Sequence, residues 1–328
     1  MTQHTQQLLT SAEVSRLPKR ERLGLIIEAG DAVGAVNKIR EAEQEGVAQI
    51  WMTQPRGNTD TLTLFAAAAV QTKQIRFGTA IVPTYPRHPL VMIQQAMTLE
   101  NLAPGRLRLG IGPSHRPIIE GIYGLPMPAP LAHLSEYLAV VRSGLWEGTI
   151  DHHGEFFNVT ASAQEQAHIP LLVSALGLKA FELAGEISDG AISWVAPTSY
   201  LIQKALPALR AGAETSQRPA PPLVAYVQVA LNSDKTAVLA ASRQRISHYA
   251  RLPFYRNMFA EAGFPVTPEG EGLEALAEEL VIAGNTSAIK ARLLELLESG
   301  LDELLIALVP ITDEASERQQ LSQLIASL

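Results

Sequence analysis

From Leu23 to Val309 the chain alternates short β-rich runs with longer stretches of helical periodicity, and it does so eight times. We read strands at 23–27 (LGLII), 48–53 (AQIWMT), 75–82, 106–112 (RLRLGIG), 170–174 (PLLVS), 190–195 (GAISWV), 223–231 (LVAYVQVAL) and 303–309 (ELLIALV). Helical patterns such as AVNKIREAEQEG, DTLTLFAAAAVQ and NTSAIKARLLELLESG lie between them, the last with Asn285 placed to cap its start and Gly300 to end it. Eight such units point to a (β/α)8 TIM barrel, with a doubly wound open sheet as the alternative.

The 328 residues suit one barrel of roughly 250 residues with insertions. We expect a polar tail over 1–22 and a single barrel domain over 23–328. The proline-laden 113–134 after the fourth strand and 252–272 after the seventh interrupt the repeat. Each is a candidate lid or a cover or subunit contact, because loops after barrel strands carry substrate binding. A third irregular stretch, 148–169, holds the turn HHG and a short EFFNVT run.

A net charge of -7 argues against a general nucleic-acid or anionic-membrane surface. The chain has no cysteine, which removes disulfides, thiolate metal sites and cysteine nucleophiles. No signal-like or membrane-length apolar run occurs, so a cytoplasmic location is the expectation. His152 and His153 lack a partner at metal-ligand spacing and read as a solvated turn, and no metal site is expected.

Barrel direction sorts the charged residues. Arg76, Arg106 and Arg108 fall at strand beginnings, towards the stability face, while Arg87, His88, His115, Arg116 and Lys179 follow strand ends, towards the catalytic face. Gly78 and Ala80 share one face of the third strand, and Gly110 and Gly112 share one face of the fourth. Four small positions in register would leave room for a flat ring at the mouth; the bland role is to complement large residues inside the barrel. In SALGLK (174–179) a strand turns into a helix whose free N–H groups would attract a phosphate.

GTAIVPTYPRHP (78–89), LENLAPGRLRLGIGPSH (99–115), HLSEYL (133–138) and LVSALGLKAFELAGEISDGAISW (172–194) resemble the bacterial luciferase-like superfamily. More narrowly, they are similar to its branch of deazaflavin (coenzyme F420)-dependent oxidoreductases related to methylenetetrahydromethanopterin reductase. The resemblance implies a (β/α)8 barrel, dimeric or larger, that binds F420 or FMN at its C-terminal mouth. It implies that Thr79, Ala80, Ile81 and Val82 flank the ring, with a non-prolyl cis peptide between Ala80 and Ile81. It further implies that Gly110 and Gly112 line the pocket, that Ala175, Leu176 and Gly177 hold the phosphate, and that Trp194 closes it.

Where dehydrogenases of that family carry Ser-Asp-His and a glutamate, this chain has Thr53-Gln54-Pro55 and His115. His115 is therefore the candidate proton donor, having an intrinsic pKa near neutrality. Arg87 and Arg116 suit an anionic cofactor tail or substrate, Tyr85 a hydrogen bond, and Glu28 and Gln54 point at the mouth by position. Each has a structural alternative: His88 as a helix start, Arg87 as an ion pair, Tyr85 as an apolar wall, Glu28 and Gln54 as backbone partners.

The expected function is an F420-dependent oxidoreductase moving a hydride to or from a small organic substrate. An FMN-dependent luciferase-like monooxygenase or a non-catalytic flavin-binding relative is the alternative. A metal-dependent barrel hydrolase is disfavoured because the first strand lacks an HxH pair.

Overall fold

The computed structural model describes residues 9–55, 59–162 and 165–328. Its strands, in chain order, are β1 (Leu23–Ile26), β2 (Gln49–Met52), β3 (Arg76–Thr79), β4 (Val82–Pro83), β5 (Leu107–Gly112), β6 (Thr149–His153), β7 (Asn158–Ser162), β8 (Leu171–Ser174), β9 (Ala191–Ser193), β10 (Leu223–Ala230), β11 (Val281–Ala283) and β12 (Glu303–Leu308). Parallel pairing runs β1–β2–β3–β5–β8–β9–β10–β12 and returns to β1, so eight strands close into a (β/α)8 barrel. All eight strand readings are present. They were readable because strands covered by helices outside and packed inside are apolar on both faces; β1, β2 and β10 are buried at every position.

The third strand is broken. It stops at Thr79, passes through a cis Ala80–Ile81 peptide, and resumes as β4, where Val82 and Pro83 pair with Ile111 and Gly112.

One indole fills the barrel axis. A Cβ at Gly24 or Gly78 would collide with the Trp51 ring, so these glycines admit it. Trp51 Nε1 donates to Gln49 Oε1 at 3.2 Å, and the Arg108 guanidinium lies 5.1 Å over the indole. Arg108 donates two hydrogen bonds to buried Glu303, at 2.6 and 2.7 Å, and Gln49 adds a third at 3.2 Å. Although burial opposes ionisation, Arg108 holds the Glu303 carboxyl below its ordinary value. Arg106 donates instead to Ala69 O at 2.9 Å and Thr72 Oγ1 at 3.2 Å, and Arg76 pairs with Glu21 at 2.7 Å. The three arginines assigned to the stability face thus brace it.

From Leu9 onward, the segment expected as a tail is docked across that face. Ser11 Oγ donates to Asp302 Oδ1 at 2.6 Å, and the Arg22 guanidinium donates to the carbonyls of Asp302, Leu301 and Leu297. A cavity of about 320 Å³ remains beneath it, lined by Leu9, Glu21, Arg76, Arg108 and Glu303 among others.

The insertions divide differently from the expected boundaries. After β5, a short helix, Arg116–Ile119, and a coil precede the helix Pro130–Arg142; β6 and β7 form an antiparallel hairpin. After β10 come helices Lys235–Ile246, Pro253–Glu261 and Leu273–Leu280, then β11 alongside β10, before the helix Thr286–Glu298. This elaboration exceeds 252–272 because KTAVLAASRQRI buries only Val238, Ser242 and Ile246 and so has no strong apolar stripe. Among the described residues no helix is long and apolar enough to cross a membrane.

Glu303→Ala strands the Arg108 charge in the barrel, and chemical denaturation should show a loss of about 3 kcal/mol or more. Burial pushes the Asp302 carboxyl up to about 6 from 3.8, so folding favours its protonated form. Its contribution is therefore fully present below pH 4 and is lost as pH rises through 6. Relative to the natural chain, Asp302→Asn should gain roughly 3 kcal/mol at most between pH 4 and 7, measured by urea unfolding at both pH values.

Candidate active site

At the C-terminal mouth the chain leaves the barrel through Glu28, Gln54, the Ala80–Ile81 bend, Gly112, Ala175 and Trp194. The floor is not the open shelf expected from four small residues. Trp51 occupies the space at Gly78, and the Thr79 carbonyl and Ile192 occupy that at Gly110. Thr79 is spent on strand bracing: its hydroxyl donates to Gly110 O at 2.7 Å and accepts from Gly110 N at 2.8 Å. What remains at the mouth is Gly112, whose added Cβ would strike Ser174 Oγ, beside buried Ala80, Val82 and Ala175.

Gly177 precedes the helix Leu178–Ile187 and gives it no side-chain cap; a Cβ there would meet nothing within 4 Å. Among the described residues no side-chain cap bonds the start of this helix, and Lys179 stands exposed beside it. Leu176 contributes its carbonyl to Tyr200 Oη, which donates at 3.0 Å.

The ionic residues expected to meet substrate are engaged within the protein. Arg87 pairs with Asp60 at 2.5 Å, Arg116 with Glu120 and with Met127 O, and Glu28 with Arg245 from the strand-seven elaboration. Burial works against it, but hydrogen bonds from Thr63 and the Arg87 charge hold the Asp60 carboxyl below its ordinary value. His88 caps the helix Pro89–Leu102, accepting from Leu90 N at 3.2 Å. Gln54 accepts from Thr61 N at 3.2 Å and so shapes its own loop. Tyr85 stacks on His133, centroids 3.9 Å apart, and donates to Pro128 O at 2.5 Å. Burial lowers the His133 pKa to about 4, so it is a neutral ring at physiological pH. These contacts convert the expected anion site into a lip built for shape.

Aromatic rings close the mouth. Trp194 Nε1 donates to Tyr249 Oη at 2.6 Å, and the Trp194 ring lies 4.2 Å from that of Tyr226. Tyr249 packs on Tyr255 at 4.7 Å, and Tyr255 meets the edge of His115 at 5.6 Å. Burial raises the Tyr226 and Tyr255 pKa values, keeping both phenols neutral. The arc unites the end of β9, the loop after β5 and the elaboration after β10.

The model of the family described as luciferase-like monooxygenase matches residues 18–302. The chain belongs to the luciferase-like monooxygenase family. It is an oxidoreductase of that class, similar to 5,10-methylenetetrahydromethanopterin reductase of Methanolobus tindarius, with 25% identity over 80% of this chain and 86% of the relative. It also resembles the F420-dependent glucose-6-phosphate dehydrogenase of Beutenbergia cavernae, with 33% identity over 62% of this chain and 65% of the relative. Among solved structures, the coenzyme F420-dependent tetrahydromethanopterin reductase from Methanopyrus kandleri superimposes with a TM-score of 0.77 at 22% identity, covering 92% and 96% of the two chains.

In this luciferase-like chain the residues missed by sequence reasoning are Asp60, Ser174, Tyr226, Arg245, Tyr249 and Tyr255. A signal existed for Tyr226: it is the one aromatic in LVAYVQVAL, two positions before Gln228 on the same strand face. The others meet their partners only through long-range packing. Gly112→Val should abolish cofactor binding and, because its side chain meets Ser174 and Ile81, also lower the melting temperature; normal binding by the folded variant would place the ring away from β5.

Proposed function

We propose that the chain is an F420-dependent oxidoreductase that transfers a hydride between the deazaflavin and a small organic substrate. The observation that carries the reading is the sequence match along four-fifths of the chain to a methylenetetrahydromethanopterin reductase, reinforced by the F420-dependent dehydrogenase relative. The uncapped start of the helix Leu178–Ile187 suits the phosphate of such a cofactor. Bound there, F420 supplies the hydride.

The chain's own residues then have distinct tasks. Ala80, Ile81, Val82 and Gly112 support the ring; Ala175, Leu176 and Gly177 position the phosphate at the helix start; Trp194 limits the far side. Gly110 and Thr79 act from below, by fixing β3 against β5. His115, on the loop after β5, delivers or receives one proton at the substrate. The elaboration after β10 excludes water. We propose a homodimer or larger homo-oligomer acting on a small molecule in the cytoplasm, without nucleic-acid or membrane partners.

An FMN-dependent monooxygenase is the second reading, favoured by the description of the matching family model. Equilibrium titration of the purified protein with F420 and FMN separates the two. F420 binding with F420-linked turnover supports the first; binding of FMN alone overturns it. His115→Ala should lower kcat about 10²-fold or more with F420 affinity unchanged, measured under single-turnover conditions; an unchanged rate would remove His115 from the proton path.

A further inference from the structure

Building on the F420 reading, we infer that the substrate is an uncharged, planar, aromatic conjugated ketone, received between Trp194 and Tyr226 on the barrel and Tyr249 and Tyr255 on the strand-seven elaboration. The argument starts from what entry must displace. Reaching the mouth from between the barrel and the elaboration separates Tyr255 from His115, whose rings meet edge-on at 5.6 Å. Aromatic contacts are favourable beyond their buried area, so the best entrant is one that restores them with a ring of its own. An aliphatic or sugar-like molecule leaves them unreplaced.

Entry also parts the Trp194 Nε1 to Tyr249 Oη hydrogen bond. An indole N–H only donates, so a half-buried Trp194 needs another acceptor, and a ketone oxygen is a neutral one. Charge points the same way. Arg87, Arg116 and Arg245 are already paired with Asp60, Glu120 and Glu28, so an anionic substrate gains nothing from these three without breaking an ion pair. Tyr226 and Tyr255 are buried and neutral, surroundings that penalise a carboxylate or phosphate.

The chemistry balances with the proposed cofactor class. A hydride from the reduced deazaflavin forms a C–H bond at the β carbon of C=C–C=O, and the alkene π pair moves towards the carbonyl. A proton then forms the α C–H bond, supplied through His115 from solvent. The alkene is reduced to the saturated ketone, and the deazaflavin is left oxidised.

The test is calorimetric titration of the whole protein, with and without F420, using 4-phenyl-3-buten-2-one, its anionic counterpart cinnamate, and 3-penten-2-one, which lacks the ring. The phenyl ketone should bind at least about tenfold more tightly than either. Tyr255→Leu should erase its advantage over 3-penten-2-one, while Tyr255→Phe keeps it. Trp194→Phe, which retains a ring but loses the N–H, should weaken the ketone roughly threefold to tenfold, a readout that stands even where Tyr255→Leu fails to fold. Equal or tighter binding of cinnamate or 3-penten-2-one would overturn the inference, as would a preference that survives in a folded Tyr255→Leu protein. F420 binding without the phenyl preference refutes the substrate class alone; the preference without F420 binding refutes the cofactor reading and leaves the substrate class standing.

Discussion

The barrel depends on Trp51 being admitted to its axis and held there by the Arg108–Glu303 pair. Two glycines on flanking strands make the space, Gln49 takes the indole N–H, and Arg108 spans from the ring to the buried carboxylate on the last strand. A charge pair at that depth contributes modest net stability, yet removing one partner is costly, so the arrangement fixes which residues face inward. Strand alternation then sets every side chain above it, and with that the position of Gly112 and Trp194 at the mouth.

Above this rigid base the site is assembled from segments of different character. The lip from Ala80 to His88 is secured by Arg87–Asp60 and by the Tyr85–His133 stack. The cover comes from the connection after β10 and meets the barrel through the Trp194–Tyr249 hydrogen bond, hydrogen bonds from Ser242 to Gln228 and from Arg245 to Tyr226, the ion pair to Glu28, and buried side chains such as Tyr255, Met258 and Phe259.

The barrel was legible in the sequence because eight doubly buried strands leave eight apolar runs, and strand direction assigned Arg76, Arg106 and Arg108 to the correct end. The site was legible only in outline. Gly78 and Gly110 read as empty space, yet the groups that fill it, Trp51 and the Thr79 carbonyl, belong to neighbouring strands whose register no local pattern specifies. Arg87 and Glu28 read as ligand contacts because their partners, Asp60 and Arg245, lie 27 and 217 positions away. The aromatic arc was hidden for the same reason: Trp194, Tyr249 and Tyr255 share no sequence period. Local chemistry identified which residues reach the mouth, and packing decided which of them were already engaged.

The most direct measurement is a crystal structure of the protein with F420. The account requires the deazaflavin ring beside the Ala80–Ile81 peptide and Gly112, its phosphate at the start of the helix Leu178–Ile187, and Tyr249 displaced or re-bonded relative to Trp194. A ring bound in the cavity beneath the N-terminal segment beside Arg76 and Arg108, with the aromatic arc unchanged, would contradict it.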